Sequence, residues 1–591
     1  MGCRPAFSPY RRRFPRSAPA ALTLYILVAV PRPLNLRSIC RERWLSIALI
    51  LCCLPGIPGL AQTAPAAAEA APAEAIGRVV LVLPFDNRSG QSTLDWIGDS
   101  FPDTLNQRLS SAGFLTISND DRQFALDHLG LPVDFKPSRA TTIRIAQTLD
   151  ANFVIVGSYT VDKNRISVQA QVLNVDKLQL SQPLDDSSEL TRLFDVENSI
   201  AWKIARNIDP HFNVARETFL SASGGVPLSA FENYIRGTSA TAPQEQIKRL
   251  QMAIAITPNY PAALLALGKA QFAQGDFDRA AATLAKVPHS DRRALEAGFY
   301  LGLARFNSAK YADAEAAFAF VASRLPLPEV VNNQGVAASR QGRNAVPLFQ
   351  RASNADPNDP DYHYNLAVAL LRQGDFSGAQ REVDLTLKLR PTDPEAPLLK
   401  ARINSGRRPQ TSSPPNKSGT TTKAAAAATS DSDFDPLERI RRTYSEASFR
   451  QAAFQLDQMR AMRVAHLPPA QQATEYIQSG KGYLAQGLIP EAEQEFQAAI
   501  AADPSSADAH TGLAEVRTHT GNIDDARKEA ERSLKLQPTV DAYLVLAKIE
   551  LQAKQLSASA ADVSNALKLD PKNPAALAMR QALLARGQRM P

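Results

Sequence analysis

Arg78 to Pro84 (RVVLVLP) is a continuous apolar run of strand length, the pattern of a strand covered on both faces. A turn cluster, Asp86-Asn87-Arg88-Ser89-Gly90, follows it. Leu94 to Leu109 has helical spacing. Phe114 to Ser118 predicts a short strand, and Asn119 or Asp120 is placed to cap a helix through Leu129. Thr141 to Leu149 predicts another helix, and Asn152 to Val161 (NFVIVGSYTV) a buried strand. Beyond a tight turn at Asp162-Lys163-Asn164, Ile166, Val168, Ala170 and Val172 alternate with Ser167, Gln169 and Gln171. That alternation marks a strand exposed on one face. A further strand is expected near Leu178 to Leu184 and a closing helix over Glu189 to Ile208. The order predicts a mixed sheet with helices packed on it, over residues 76–220.

From about Leu228 the pattern changes to helix pairs of fixed length. Ala473 to Pro504 shows it most clearly, with Gly480, Tyr483, Gly487, Ala492, Phe496, Ala499 and Pro504 at regular offsets. Small Gly480 is expected to face small Ala492, so that two helices approach closely. Gly487 is suited to the left-handed conformation that ends a helix, and Pro490 to the first turn of the next. These offsets resemble the tetratricopeptide repeat, a helix–turn–helix unit of 34 residues. Pro357 and Pro391 keep the same spacing, with Pro258 and Pro326 as further punctuation. Five units are read over residues 228–405, the first (Ala230 to Pro258) degenerate. Leu437 to Val464 reads as a helical hairpin, a degenerate opening unit of a second array over residues 437–588. Units ending at Pro504, Pro538 and Pro571 follow, and Pro574 to Arg586 is a closing amphipathic helix. Stacked pairs of this kind form a superhelix.

The segments VVLVLPFDNRSG, LDWIGDSFPDTLNQRL, IAQTLDANFVIVGSYTV and RISVQAQVLNVD resemble the domain related to the amino-terminal domain of TolB and to FlgO, over about residues 78–208. The resemblance implies an envelope- or signalling-associated module, often followed by repeats that open like AFENYIRG at Ala230 to Gly237, and no catalytic site.

Charge and cysteine distribution change the picture mainly at the amino terminus. Residues 1–61 hold nine arginines, one acid (Glu42) and all four cysteines, so the net +7 is +8 there and −1 elsewhere. The folded part is therefore not a basic nucleic-acid binder and has no thiol chemistry. The basic flank Arg37, Arg41 and Arg43, the apolar run Trp44 to Leu54 and Gly59-Leu60-Ala61 predict a signal peptide cleaved after Ala61. An uncleaved anchor is the second reading and a lipoprotein the third, with Arg11 to Arg13 and the apolar run Ala20 to Val30 left without assignment. Residues 62–75 read as an Ala/Pro-rich spacer. Residues 406–436, rich in Ser, Thr, Pro and Lys, read as a disordered linker that lets two arrays engage separately. Asp431, Asp433 and Asp435 mimic the start of a calcium loop, but Pro436 stands where that turn needs glycine.

No P-loop, G-x-S-x-G or HExxH is present. The sequence therefore predicts no enzyme, cofactor or metal site. Asp86, Arg88 and Asp99 form a possible ligand patch at the strand ends of the α/β domain. The repeat offsets place Lys269, Phe272, Asn332, Arg340, Tyr364, Asn365 and Arg372 along one groove. Ile477, Lys481, Leu484 and His519 fall along the other. The basic members are placed to pair with acidic groups of a peptide, although exposed Lys and Arg on helices are ordinarily solvated. Ile477 and Leu484 beside Lys481 suit an amphipathic segment. The fold class expected is α+β and mostly α: a mixed-sheet α/β domain followed by two α-solenoid arrays. The expected function is a protein–protein scaffold or assembly factor of the bacterial cell envelope. It would bind protein or peptide segments, no nucleic acid, and touch membrane only through its N-terminal segment. The alternative is a ligand-sensing module whose repeats relay what the α/β domain binds. Oligomeric state is not readable.

Overall fold

The computed structural model describes residues 78–132, 137–221, 226–406 and 435–590. The targeting segment, the spacer, residues 407–434, Asp431 and Asp433 lie outside the described residues. No helix among the described residues is long and apolar enough to cross a membrane.

Seven strands form one mixed sheet: β1 (Val79–Val82), β2 (Asp86–Asn87), β3 (Leu115–Thr116), β4 (Phe153–Asp162), β5 (Arg165–Asn174), β6 (Gln179–Leu180) and β7 (Leu184–Glu189). β1 lies parallel between β3 and β4, and β4, β5 and β7 continue as antiparallel neighbours. The apolar run in β1 has the predicted cause. Val80 and Val82 enter a core with the helices Trp96–Ser111 and Leu193–Ile208, and Leu81 one with Ala125, Leu126 and Ile145 on the other face. The turn residues Asp86 and Asn87 are themselves paired, parallel to Ser158 and Tyr159. Pro102 lies inside the helix Trp96–Ser111 and has no N–H to offer Gly98. The Phe85 N–H donates to that Gly98 carbonyl at 3.1 Å instead, tying the loop after β1 to the helix.

The first array has five helix pairs and a sixth single helix. Unit 1 is Leu228–Thr238 with Pro243–Ile256, unit 2 Pro261–Ala273 with Phe277–Leu284, and unit 3 Ala294–Asn307 with Tyr311–Arg324. Unit 4 is Pro328–Arg340 with Val346–Ala355, unit 5 Pro360–Gln373 with Phe376–Leu389, and Ala396–Asn404 closes the stack. Unit 1 is continuous with the α/β core: Phe231, Tyr234 and Leu250 share a cluster with Val80 and Ile200. Tyr234 Oη also donates to Asp103 Oδ1 at 2.7 Å.

The second array holds the pairs Pro469–Ala485/Ile489–Ala502, Ala507–His519/Ile523–Leu536 and Val540–Gln552/Leu556–Leu569, then Pro574–Ala585. Gly487 has φ +73°, the left-handed end expected of it. The close approach at Gly480 differs from expectation. A Cβ there would meet the Phe496 ring at 2.9 Å, and a Cβ at Gly512 would overlap the same ring, so the two glycines make room for a buried phenylalanine.

The hairpin expected over Leu437–Val464 is not formed. One helix, Glu446–Ala465, follows a stretch without regular structure from Asp435 to Ser445. Nor do the arrays stand apart. The described residues of the α/β domain and both arrays belong to one compact unit. Glu493 accepts the Thr218 hydroxyl and the Ala215 N–H (3.2 Å). Arg292 pairs with Glu491 (2.7 Å) and Arg450 with Asp121 (2.9 Å). Separate engagement of two tethered arrays is therefore not the arrangement of the molecule.

Candidate peptide-binding groove

The first helices of units 3 to 5 and the turn before the closing helix meet residues 435–444 of the same chain. Three buried asparagines take the backbone groups of Arg439 and Arg441. Asn365 Oδ1 accepts the Arg439 N–H at 2.6 Å, while its Nδ2 donates to the Arg439 carbonyl at 2.7 Å. Asn333 treats Arg441 in the same way, at 2.8 Å for both bonds. Asn332 adds a second donor to the Arg439 carbonyl at 3.1 Å and accepts from Asn365 at 2.7 Å, which fixes the Asn365 amide. Residues i and i+2 of an extended chain present their backbone groups to one side, as here. Each net bond contributes roughly 0.5–1.5 kcal/mol, and the buried amides would cost more if left unmade.

Side chains add selectivity. The Glu438 carboxylate is fully buried and accepts from Arg372 and from the Ser339 hydroxyl, with Arg340 at 3.8 Å. Arg372 also donates to the Pro436 carbonyl at 3.0 Å. Arg439 lies over the Tyr364 ring, 3.6 Å from its centroid. Its guanidinium makes two bonds to Asp393, both 2.7 Å, and reaches Asp361 and Glu395 at 2.9 Å. This is the planar, multiply bonded recognition that a lysine cannot reproduce. Burial pushes the Asp393 carboxyl up, but Arg439 and the N–H groups of Ala396 and Glu395 outweigh it and hold it at about 2. Arg441 pairs with Asp359. Ile440 packs into the cores of units 3 to 5, and Tyr444 packs on Phe299 (5.6 Å) and Phe449 (4.1 Å).

Of the residues expected along this groove, Asn332, Arg340, Tyr364, Asn365 and Arg372 all meet the segment. Lys269 faces elsewhere: it pairs with Glu296 (2.8 Å) and with Asp120 of the α/β domain (3.3 Å), above the Tyr300 ring. Phe272 packs against Tyr300 and Phe277. Sequence reasoning missed Asn333, Ser339, Asp361, Asp393 and Glu395. The acids resemble ordinary helix caps, and only the segment reveals their other use. In the second array, Ile477 is a core residue beside Phe496 and Leu513, and Leu484 packs on the same cluster. Ile477 is thus taken up by the core, while Leu484 is half-buried at its edge. Lys481 and His519 are exposed.

The patch expected in the α/β domain divides. Arg88 borders an open polar hollow of about 560 Å³ with Ser158, Thr160, Gln169, Asp185 and Asp186. Asp99 is turned to Ser239 and Arg122, and burial raises its carboxyl above the usual range despite both. Asp86 is exposed on β2.

Tetratricopeptide repeat families match residues 240–301 and 337–403 in the first array, and 477–540 and 520–574 in the second. The chain thus contains tetratricopeptide repeats in both. No curated protein matches. Among solved structures, MamA of Desulfovibrio magneticus RS-1 is 20% identical, covering 29% of this chain and 99% of that one at a TM-score of 0.27. The LpoB C-terminal domain of Escherichia coli is 23% identical, covering 19% and 83% at 0.18. A tetratricopeptide repeat protein of Parabacteroides merdae is 13% identical, covering 54% and 97% at 0.23.

Proposed function

We propose that this chain is a protein–protein interaction scaffold, an assembly factor of the bacterial cell envelope, whose first array binds an extended protein segment. One observation carries the reading. Asn332, Asn333 and Asn365 hydrogen-bond both backbone groups of alternate residues of an extended chain. That is recognition of a peptide main chain, with specificity left to flanking side-chain sites. The TolB- and FlgO-like segments in residues 78–208 and the signal-like residues 37–61 support placement in the envelope, exported and held by its N-terminal segment if uncleaved. We read the chain as non-catalytic, without cofactor or metal, and as no nucleic-acid binder.

Affinity capture from envelope extract, comparing a full chain carrying Glu438→Ala/Arg439→Ala, in which the segment's own contacts are weakened, with one that also carries Asn333→Ala/Asn365→Ala, tests this. A partner retained by the first and lost by the second is expected; a partner set identical in both would remove the groove from the function. The hollow beside Arg88 and Asp186 favours a second reading, in which the α/β domain senses a small polar ligand. A ligand bound there raises the melting temperature of the native chain but not of an Arg88→Ala variant.

A further inference from the structure

We infer that residues 435–444 are a displaceable internal ligand that keeps the groove of the first array closed. The partner that opens it is then a protein segment of the same chemistry: extended, with adjacent Glu and Arg, a proline two positions before the Glu and an aliphatic residue after the Arg. The inference rests on the reading of this array as a peptide-binding groove and deepens it.

The Glu, Arg and aliphatic elements of that pattern each meet named groups, and Pro436 is buried with its carbonyl on Arg372. The Pro436 carbonyl and the Glu438 carboxylate share Arg372, the Arg439 guanidinium fits between Asp361, Asp393 and the Tyr364 ring, and Ile440 enters the repeat core. Glu438 Oε2 has the Arg340 guanidinium at 3.8 Å and no hydrogen bond, yet the remaining fit exceeds what a passive connection needs. A linker crossing a surface needs neither a buried carboxylate nor three asparagines turned to its backbone. Residues 435–444 are also joined covalently to the repeats they occupy. The tether gives them an effective concentration on the order of millimolar, so a free competitor meets a high barrier until the internal copy is weakened. The segment is held by hydrogen bonds, by ion pairs and by the packing of Ile440 and Tyr444, while Leu437 is half-exposed and Asp435 and Arg442 are exposed. Such bonds are exchanged for identical ones when a like segment takes the place.

The test uses a fluorescent peptide of residues 435–445 (DPLERIRRTYS) and the full chain. A Glu438→Ala/Arg439→Ala variant should bind the peptide at least roughly tenfold more tightly than the native chain, about 1.4 kcal/mol. Exchanging the Glu and Arg of the peptide should abolish binding. In the native chain, excess peptide should speed hydrogen exchange at the amides of Arg439 and Arg441, which need no variant to read. Equal binding by both forms, or no binding by either with exchange unchanged at millimolar peptide, overturns the internal-ligand inference. Envelope partners captured equally well by the native chain and the Glu438→Ala/Arg439→Ala variant would overturn it while leaving the scaffold reading intact. Peptide binding by the variant in the absence of any captured partner would support the inference and count against the scaffold.

Discussion

The two arrays share one repeat construction and differ in what their inner faces do. His363 in unit 5 bonds Glu382 at 2.7 Å and the Pro357 carbonyl at 3.0 Å. His510 in the second array bonds Glu529 and the Pro504 carbonyl in the same way, at 2.7 and 3.2 Å. The two histidines align the arrays. Asn365 then corresponds to Gly512, and Asn332, three residues before Gly335, to Ile477, three before Gly480. Asn333, two residues before Gly335, corresponds to Gln478, so where the first array bonds the backbone of residues 439 and 441 the second has a residue without a side chain, one buried in the core and one exposed amide. Packing sets the stack in both, and in the first array a few inward polar positions bond the backbone of residues 439 and 441. The second array instead spends part of its outer helix Ile489–Ala502 on the α/β domain, through Glu493.

The largest expected effect tests the shared part. Phe349 faces Gly335 as Phe496 faces Gly480, and both rings are fully buried. Phe349→Ala and Phe496→Ala should each destabilise their array by about 3–5 kcal/mol. Urea unfolding of the two variants checks this, and a marked inequality would break the claim that the packing is common. Next comes Asn365→Ala, which strips two bonds from Arg439 and should loosen the segment by about 1–3 kcal/mol. Proteolysis between Pro436 and Tyr444 should then accelerate, whereas the helices of the second array stay as resistant as before.

Acid should separate the arrays further. The Asp393 carboxyl is held below its unfolded value, so its contribution is present above about pH 4 and lost as pH falls through about 2. Fluorescence of Tyr444 or hydrogen exchange over residues 436–444 should report release only in that window, and an Asp393→Asn variant should release at neutral pH. The smallest effect concerns His363. Its hydrogen bond to Glu382 outweighs burial and raises its pKa. Its contribution is therefore full below about pH 6.5 and declines as pH rises through the raised value. The melting temperatures of the native chain and a His363→Gln variant should differ by a few degrees at pH 6 and converge at pH 9. A gap independent of pH would assign the difference to packing alone.

Much of the fold was legible because it rests on local rules. The alternation from Ile166 to Val172 marked β5, the apolar run at Val79 a strand with two covers, and Gly487 a helix end. Gly480 was legible as a small residue but not in its purpose, since the Phe496 ring reaches it from another helix. The groove was half legible. Asn332, Tyr364, Asn365 and Arg372 follow from repeat offsets, but Lys269 and Phe272 share those offsets and face other neighbours.

The sequence by itself determined that both arrays are stacked helix pairs, since a 34-residue period of small, aromatic and proline positions admits little else. It also determined that a mixed sheet precedes them. Only the tertiary structure decided that Asp435 to Tyr444 is neither linker nor helix. Its Glu438 and Arg439 look like any charged surface, and their partners Arg372, Asp361 and Asp393 lie 46 to 78 residues earlier. A pattern within a segment records what its own backbone prefers. It cannot record which distant groove offers that backbone better hydrogen bonds than a helix would.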